Sequence, residues 1–111
     1  MVTEEDVRRV ALALPQTREQ TSYGTPGFRV PDRLFARIRE EGDLAVWLPD
    51  ESHKHELIAS APEVYFTTSH YDGYAVALVR LDAIKLDELT EVITEAWRAR
   101  APRRLLAELD H

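Results

Sequence analysis

Residues 28–48 read Phe28-Arg29-Val30-Pro31-Asp32-Arg33-Leu34-Phe35-Ala36-Arg37-Ile38-Arg39-Glu40-Glu41-Gly42-Asp43-Leu44-Ala45-Val46-Trp47-Leu48. Three strand-like runs stand out: Phe28–Val30, Leu34–Arg39 and Leu44–Leu48. Pro31-Asp32-Arg33 separates the first two, and the turn residues Glu40-Glu41-Gly42-Asp43 separate the last two. Connections this short join antiparallel neighbours, because a parallel pair needs a crossover of about a dozen residues or more. Alternation in the second run sets Leu34, Ala36 and Ile38 on one face and Arg33, Phe35, Arg37 and Arg39 on the other. The third run sets Leu44, Val46 and Leu48 against Ala45 and Trp47.

Working outward toward the N-terminus, Gln16 to Gly27 is polar and ends in Tyr23-Gly24-Thr25-Pro26-Gly27, which reads as a loop closing in a specified turn. Before it, Glu4 to Leu14 reads as a helix. Val7, Val10, Ala11 and Leu14 make one apolar stripe, Thr3 and Asp6 form a weaker version of a capping box, and Pro15 ends the run. Toward the C-terminus, Glu51 to Ala61 reads as a short helix with Leu57, Ile58 and Ala61 facing inward. Val64 to Thr68 is a fourth strand, and Tyr74 to Leu81, the most apolar run, is a fifth and central one. Asp87 to Ala99 is a long helix burying Leu89, Ile93, Ala96 and Trp97, and Arg103 to Leu109 is a short terminal one. The chain therefore reads as an α+β domain spanning residues 1–111, an antiparallel sheet of about five strands with helices packed on it.

The 111 residues suit one core, and their apolar residues are spread along the whole length. There is no cysteine, which excludes disulfides, cysteine-ligated zinc, iron–sulfur clusters and thiol catalysis. The acidic start, Met1-Val2-Thr3-Glu4-Glu5-Asp6, has no apolar core of a signal peptide, and no apolar run suits a membrane helix; the expected compartment is the cytoplasm. The formal charge of −6 excludes a protein that grips nucleic acid over its whole surface.

Each candidate for chemistry carries a plain structural reading beside it. His53-Lys54-His55 resembles a metal pair, but residues two apart on a helix point in nearly opposite directions. Ser69, His70 and Asp72 hold the residue types of a catalytic triad, yet adjacent turn residues do not easily align as nucleophile, base and orienter. Glu4, Glu5, Asp6 and Glu19 could line a hard cation, and the first three serve equally as acids at a helix N-terminus. No glycine-rich phosphate loop occurs. No metal or other cofactor, and no catalytic residue, is expected.

Arginines and aromatic residues remain. Arg33, Phe35, Arg37 and Arg39 could neutralise phosphates and stack bases, or form a half-covered face whose arginines reach solvent. Arg98, Arg100, Arg103 and Arg104 gather around Pro102. Arg98 and Arg100 suit a helix C-terminus, whereas Arg103 and Arg104 lie beyond it and point equally to a solvated end or an anion site.

Several blocks together resemble the MmcQ/YjbR family of small bacterial proteins. They are Ala13-Leu14-Pro15, Tyr23-Gly24-Thr25-Pro26-Gly27-Phe28-Arg29-Val30, Leu34-Phe35-Ala36-Arg37, Pro62-Glu63-Val64-Tyr65-Phe66, and the stretch from Ala96-Trp97 through Ala101-Pro102 to Arg103-Arg104-Leu105. The resemblance implies a compact α+β fold with an antiparallel sheet and a DNA-binding accessory role. Arg37, Arg100, Arg103 and Arg104 would then contact phosphates, with Tyr23 or Phe35 stacking, and DNA binding would be weak and salt-dependent. The alternative is a small-molecule or anion pocket lined by Tyr23, Arg29, His70 and Tyr71, or a protein-interaction surface at a sheet edge or at Trp47, again without catalysis.

Overall fold

Thr3 opens the first helix, α1 (Glu4–Leu12). Its hydroxyl accepts from the Asp6 N–H at 3.2 Å, and the Asp6 carboxylate accepts from the Thr3 N–H at 2.9 Å, so the capping box is complete. The computed structural model describes residues 1–109. The remaining elements are β1 (Arg18–Ser22), β2 (Thr25–Val30), β3 (Arg33–Ile38), β4 (Leu44–Trp47), α2 (Glu51–Ser60), β5 (Tyr65–Phe66), β6 (Val76–Val79), α3 (Leu86–Arg100) and α4 (Arg103–Leu109). A single 3-10 turn, Ser69–Tyr71, lies between β5 and β6.

The strands form one sheet in the order β1-β2-β3-β4-β6-β5, with every neighbouring pair antiparallel. β6 lies between β4 and β5, and all four of its residues are buried, as an interior strand requires. The sheet has six strands where about five were expected. The extra one is β1, in the segment read as a loop. Its sequence, Arg18-Glu19-Gln20-Thr21-Ser22, has four exposed residues and no apolar one, so it carries no hydrophobic alternation. Backbone pairing to β2 makes it a strand, and its charged, polar surface suits an edge.

The register of β2 against β3 shifts between Phe28 and Arg29: Phe28 faces Ala36, whereas Arg29 faces Leu34. Phe35 is the extra residue of a β-bulge. The bulge turns both Phe35 and Ala36 into the core, each fully buried, and leaves Arg37 half-buried and opposite Ala45 on the other face. Strict alternation had placed Phe35 beside Arg37; the bulge corrects that.

The core lies between the sheet and the layer formed by α1 and α3. Phe28, Ala36, Leu44, Val46 and Val79 of the sheet meet Val7, Ala11, Leu89, Ile93, Ala96 and Trp97 of the helices. The Trp97 indole N–H donates to the Pro15 carbonyl at 3.0 Å, tying α3 to the end of α1. On the opposite face, Ala45, Tyr71, Val76 and Leu78 form a smaller cluster, with Trp47 and Phe66 against it. No helix among the described residues is long and apolar enough to cross a membrane.

Candidate functional site: the Tyr23–Tyr71 cleft

β1 and β2 are joined by two residues, Tyr23 and Gly24, since Ser22 pairs with Thr25. Both adopt positive φ, 55° and 83°, as a tight hairpin turn of this twist demands. Glycine does so without strain. Tyrosine does not, and the conformation costs about 1–2 kcal/mol for a residue with a Cβ. The strained residue is also 83% exposed. A ring held in water on a strained turn contributes little to the fold, which marks Tyr23 as a candidate for contact with something else.

Across the sheet from this turn, the 3-10 turn brings up His70 and Tyr71. His70 packs edge-on against Tyr71, with ring centres 4.8 Å apart. Between the two turns a cleft of about 410 Å³ opens, lined by Tyr23, Arg37, Arg39, Glu40, Glu41, His70 and Tyr71. The Arg37 guanidinium carbon lies 5.5 Å from the Tyr23 ring centre, and its Nη1 donates to Thr25 Oγ1 at 3.1 Å. The Arg39 guanidinium carbon lies 5.9 Å from the Tyr71 ring centre. Arg39 is also gripped by Asp43 and Glu41, each at 3.1 Å. Burial pushes the Asp43 carboxyl above its ordinary value, a shift that Arg39 opposes. Arg39 is thus neutralised, whereas Arg37 has no carboxylate partner among the described residues.

The segment carrying His70 and Tyr71 is fastened from beneath by Lys54 of α2, which is 1% exposed. Its ammonium donates to the carbonyls of Tyr71 and Tyr74 at 2.7 and 2.9 Å. The flanking histidines point outward: His53 bonds Asp50 at 2.8 Å, and His55 lies 3.9 Å from Glu51. The backbone of the 69–72 turn satisfies itself, with Asp72 N–H donating to the Ser69 carbonyl at 3.2 Å.

The sequence-predicted residues do not all meet. Tyr23, Arg37, His70 and Tyr71 meet in the cleft. Arg29 does not line it; its Nη1 donates to the Asp32 carbonyl at 2.9 Å, while its Nε is buried without a partner. Phe35 lies in the core, where it cannot stack on a ligand. Arg100 belongs to the helix layer and donates through Nε to the Leu34 carbonyl, beside the bulge, at 3.1 Å. Its pKa is lowered by burial and by repulsion from Arg33. Arg103 and Arg104 are exposed in the first turn of α4, with no ion pair among the described residues. The arginines around Pro102 therefore do not join Arg37. Sequence reasoning set Arg39 beside Arg37 on one strand face and missed Lys54. Arg39 shares the alternation of Arg37 and was legible there. Nothing in His53-Lys54-His55 marks the lysine as the buried member.

Residues 12–99 match the model of the family described as YjbR. An uncharacterized protein of Mycobacterium bovis and two of Mycobacterium tuberculosis are each 40% identical to this chain over 124 aligned residues. Each alignment covers 96% of this chain and 94% of the relative. The crystal structure of a Deinococcus radiodurans protein, DR2400, with the family-model domain DUF419, superposes with a TM-score of 0.75 at 21% identity. That superposition covers 99% of this chain and 89% of the other, and establishes the fold.

Proposed function

The chain belongs to the YjbR family, and on that premise we propose that it is a non-catalytic binding domain whose Tyr23–Arg37 cleft associates with single-stranded nucleic acid in the bacterial cytoplasm. The Arg37–Tyr23 stack carries the reading. An exposed ring accepts a base on its open side whatever the base, and an arginine without a carboxylate partner accepts a phosphate. Glu40 and Glu41 on the rim and the charge of −6 favour a short contact over a long basic track. Binding is therefore weak, and its salt dependence shallow, at about −0.7 in log K per log salt for each phosphate contacted. Titration of the full chain with labelled single-stranded and duplex DNA at two salt concentrations tests this. Saturable binding of the single strand that weakens with salt is expected, and no binding at low salt overturns the reading.

The size of the cleft favours a second reading, a small anion carrying a flat group. Its volume of about 410 Å³ is within the range of small-molecule sites. A thermal-shift screen with nucleotides, phosphorylated metabolites and carboxylates separates the two, since a ligand that binds only the folded state raises Tm with the logarithm of its concentration above Kd.

A further inference from the structure

A second concavity lies in the helix layer, away from the Tyr23 cleft. It is a groove of about 400 Å³ between α2 and α3. Leu48, Leu57, Ala61 and Val92 supply its apolar lining. Glu88, Glu91 and Glu95 of α3 line it too, spaced three and four residues apart and so on one face of the helix. The row spans about 10 Å at the rise of an α-helix. Glu88 is oriented by the Tyr65 hydroxyl, which donates to its Oε2 at 2.7 Å. Arg98 Nε approaches Glu95 from the side at 4.0 Å. Among the described residues no lysine or arginine lines the groove, and His53 is its one basic member.

Three carboxylates placed on one helix face repel one another, and they do so beside Leu57 and Ala61, which are only partly buried. Neither feature stabilises the free protein. A ligand with an apolar body and a cationic head answers both. Its hydrocarbon leaves water against Leu57, Ala61 and Val92, and its charge relieves the repulsion of the glutamates. The groove is small against the roughly 800 Å² that each partner of a stable protein pair buries, whereas its volume matches sites for small molecules. We propose that the α2–α3 groove is a binding site for a small amphipathic amine, with Glu91 and Glu95 meeting the ammonium and Leu57, Ala61 and Val92 meeting the chain.

The site owes nothing to the Tyr23 cleft, so the two can fail separately. His53 offers an internal reporter. It bonds Asp50, is protonated more readily than usual mainly for that reason, and also feels Glu56 and Glu95. Asp50, Glu56 and Glu51 on the α2 side, Glu88, Glu91 and Glu95 on α3, and the Tyr65 hydroxyl are the titratable groups around it. A second cation in the groove disfavours the charged imidazole and lowers its pKa.

The experiment is a titration of the full chain with n-hexylamine, followed by two-dimensional amide and imidazole NMR at low salt. Hexanol and hexanoate serve as neutral and anionic counterparts of the same length. The amine is expected to shift the Leu57, Ala61, Glu91 and Val92 amides saturably and to lower the His53 pKa, with hexanol about tenfold weaker or more and hexanoate inert. The double variant E91Q/E95Q removes an i,i+4 repulsion and so keeps its fold, and it is expected to weaken the amine about fivefold or more. Three results overturn the proposal: no saturable shift up to about 10 mM amine, equal binding of amine and alcohol, or undiminished amine binding by the folded double variant.

Discussion

The guanidinium of Arg37, on β3, stacks on the ring of Tyr23, which stands in the hairpin turn between β1 and β2. The ring stands in water on a backbone conformation that tyrosine resists, and the arginine is fixed by Thr25 with no carboxylate partner among the described residues. The pair is thus built at some cost to the fold, and the cost can be measured.

Replacing Tyr23 with asparagine, which tolerates the left-handed region, is expected to stabilise the protein by about 1 kcal/mol. That is the backbone strain of about 1–2 kcal/mol less about 0.5 kcal/mol for an exposed cation–π contact. The same variant loses single-stranded DNA binding. Urea denaturation gives the stability, and an unchanged or lower midpoint for Tyr23→Asn contradicts the strain. Tyr23→Phe keeps the ring and is expected to keep the binding.

Arg37→Gln is expected to weaken single-strand binding and to flatten its salt dependence by about 0.7 in the log–log slope. Arg103→Gln with Arg104→Gln, on α4, leaves both unchanged. The reverse pattern, with Arg103 and Arg104 carrying the slope, transfers the contact to the region after Pro102.

Lys54→Met takes the ammonium from the Tyr74 carbonyl and from the Tyr71 carbonyl, which keeps the Tyr74 N–H as a donor. An acceptor left unsatisfied costs about 1–3 kcal/mol and a lost hydrogen bond to a charged group about 1.5–3 kcal/mol, partly offset by removing a buried charge, so a net loss of about 2–4 kcal/mol is expected. The loss is also local. Hydrogen exchange at the Tyr71 and Tyr74 amides, which donate to Thr68 and Tyr71, is expected to accelerate more than exchange in β2 and β3. Uniform acceleration argues against Lys54 as the fastening of this segment.

Stability near neutral pH carries the sign of the Asp50–His53 pair. The hydrogen bond to Asp50 raises the His53 pKa above its ordinary 6.5, so the folded state favours the imidazolium. That stabilisation is fully present below the unfolded value and is lost as pH rises through the higher folded value. Asp50 is lowered mainly by the same bond, so its contribution holds above 3.8 and is lost as pH falls through its depressed value. Between about pH 6 and about pH 8 the Tm of the native chain is therefore expected to fall more than that of Asp50→Asn. Parallel Tm curves for the two proteins deny the linkage.

Much of the architecture is legible along the chain because burial leaves a periodic trace. The stripe of α1, the Leu89–Ile93–Ala96–Trp97 face of α3 and the central position of β6 all follow from apolar spacing. β1 escapes because an exposed edge strand needs only a partner's backbone, which polar residues supply as well as apolar ones. The faces of β3 escape because a bulge depends on pairing, and pairing is not written in one strand alone. Tyr23, Arg37, His70 and Tyr71 could be named singly from type and neighbourhood. Their meeting, the diversion of Arg100 to the Leu34 carbonyl and the burial of Lys54 depend on contacts between residues 14 to 66 positions apart.

The bulge at Phe35 also sets how relatives of this chain must be compared. It is a one-step change of phase in a two-residue rhythm. Upstream and downstream of it, the same parity of residue number belongs to opposite sides of the sheet. A relative that kept every residue but ran this strand in strict alternation from Leu34 would carry the side chains of Arg37 and Arg39 into the space now filled by Ala36 and Ile38. Matching a relative to this chain across positions 28 to 37 therefore means matching the pairing of the two strands first and the identity of any one arginine second.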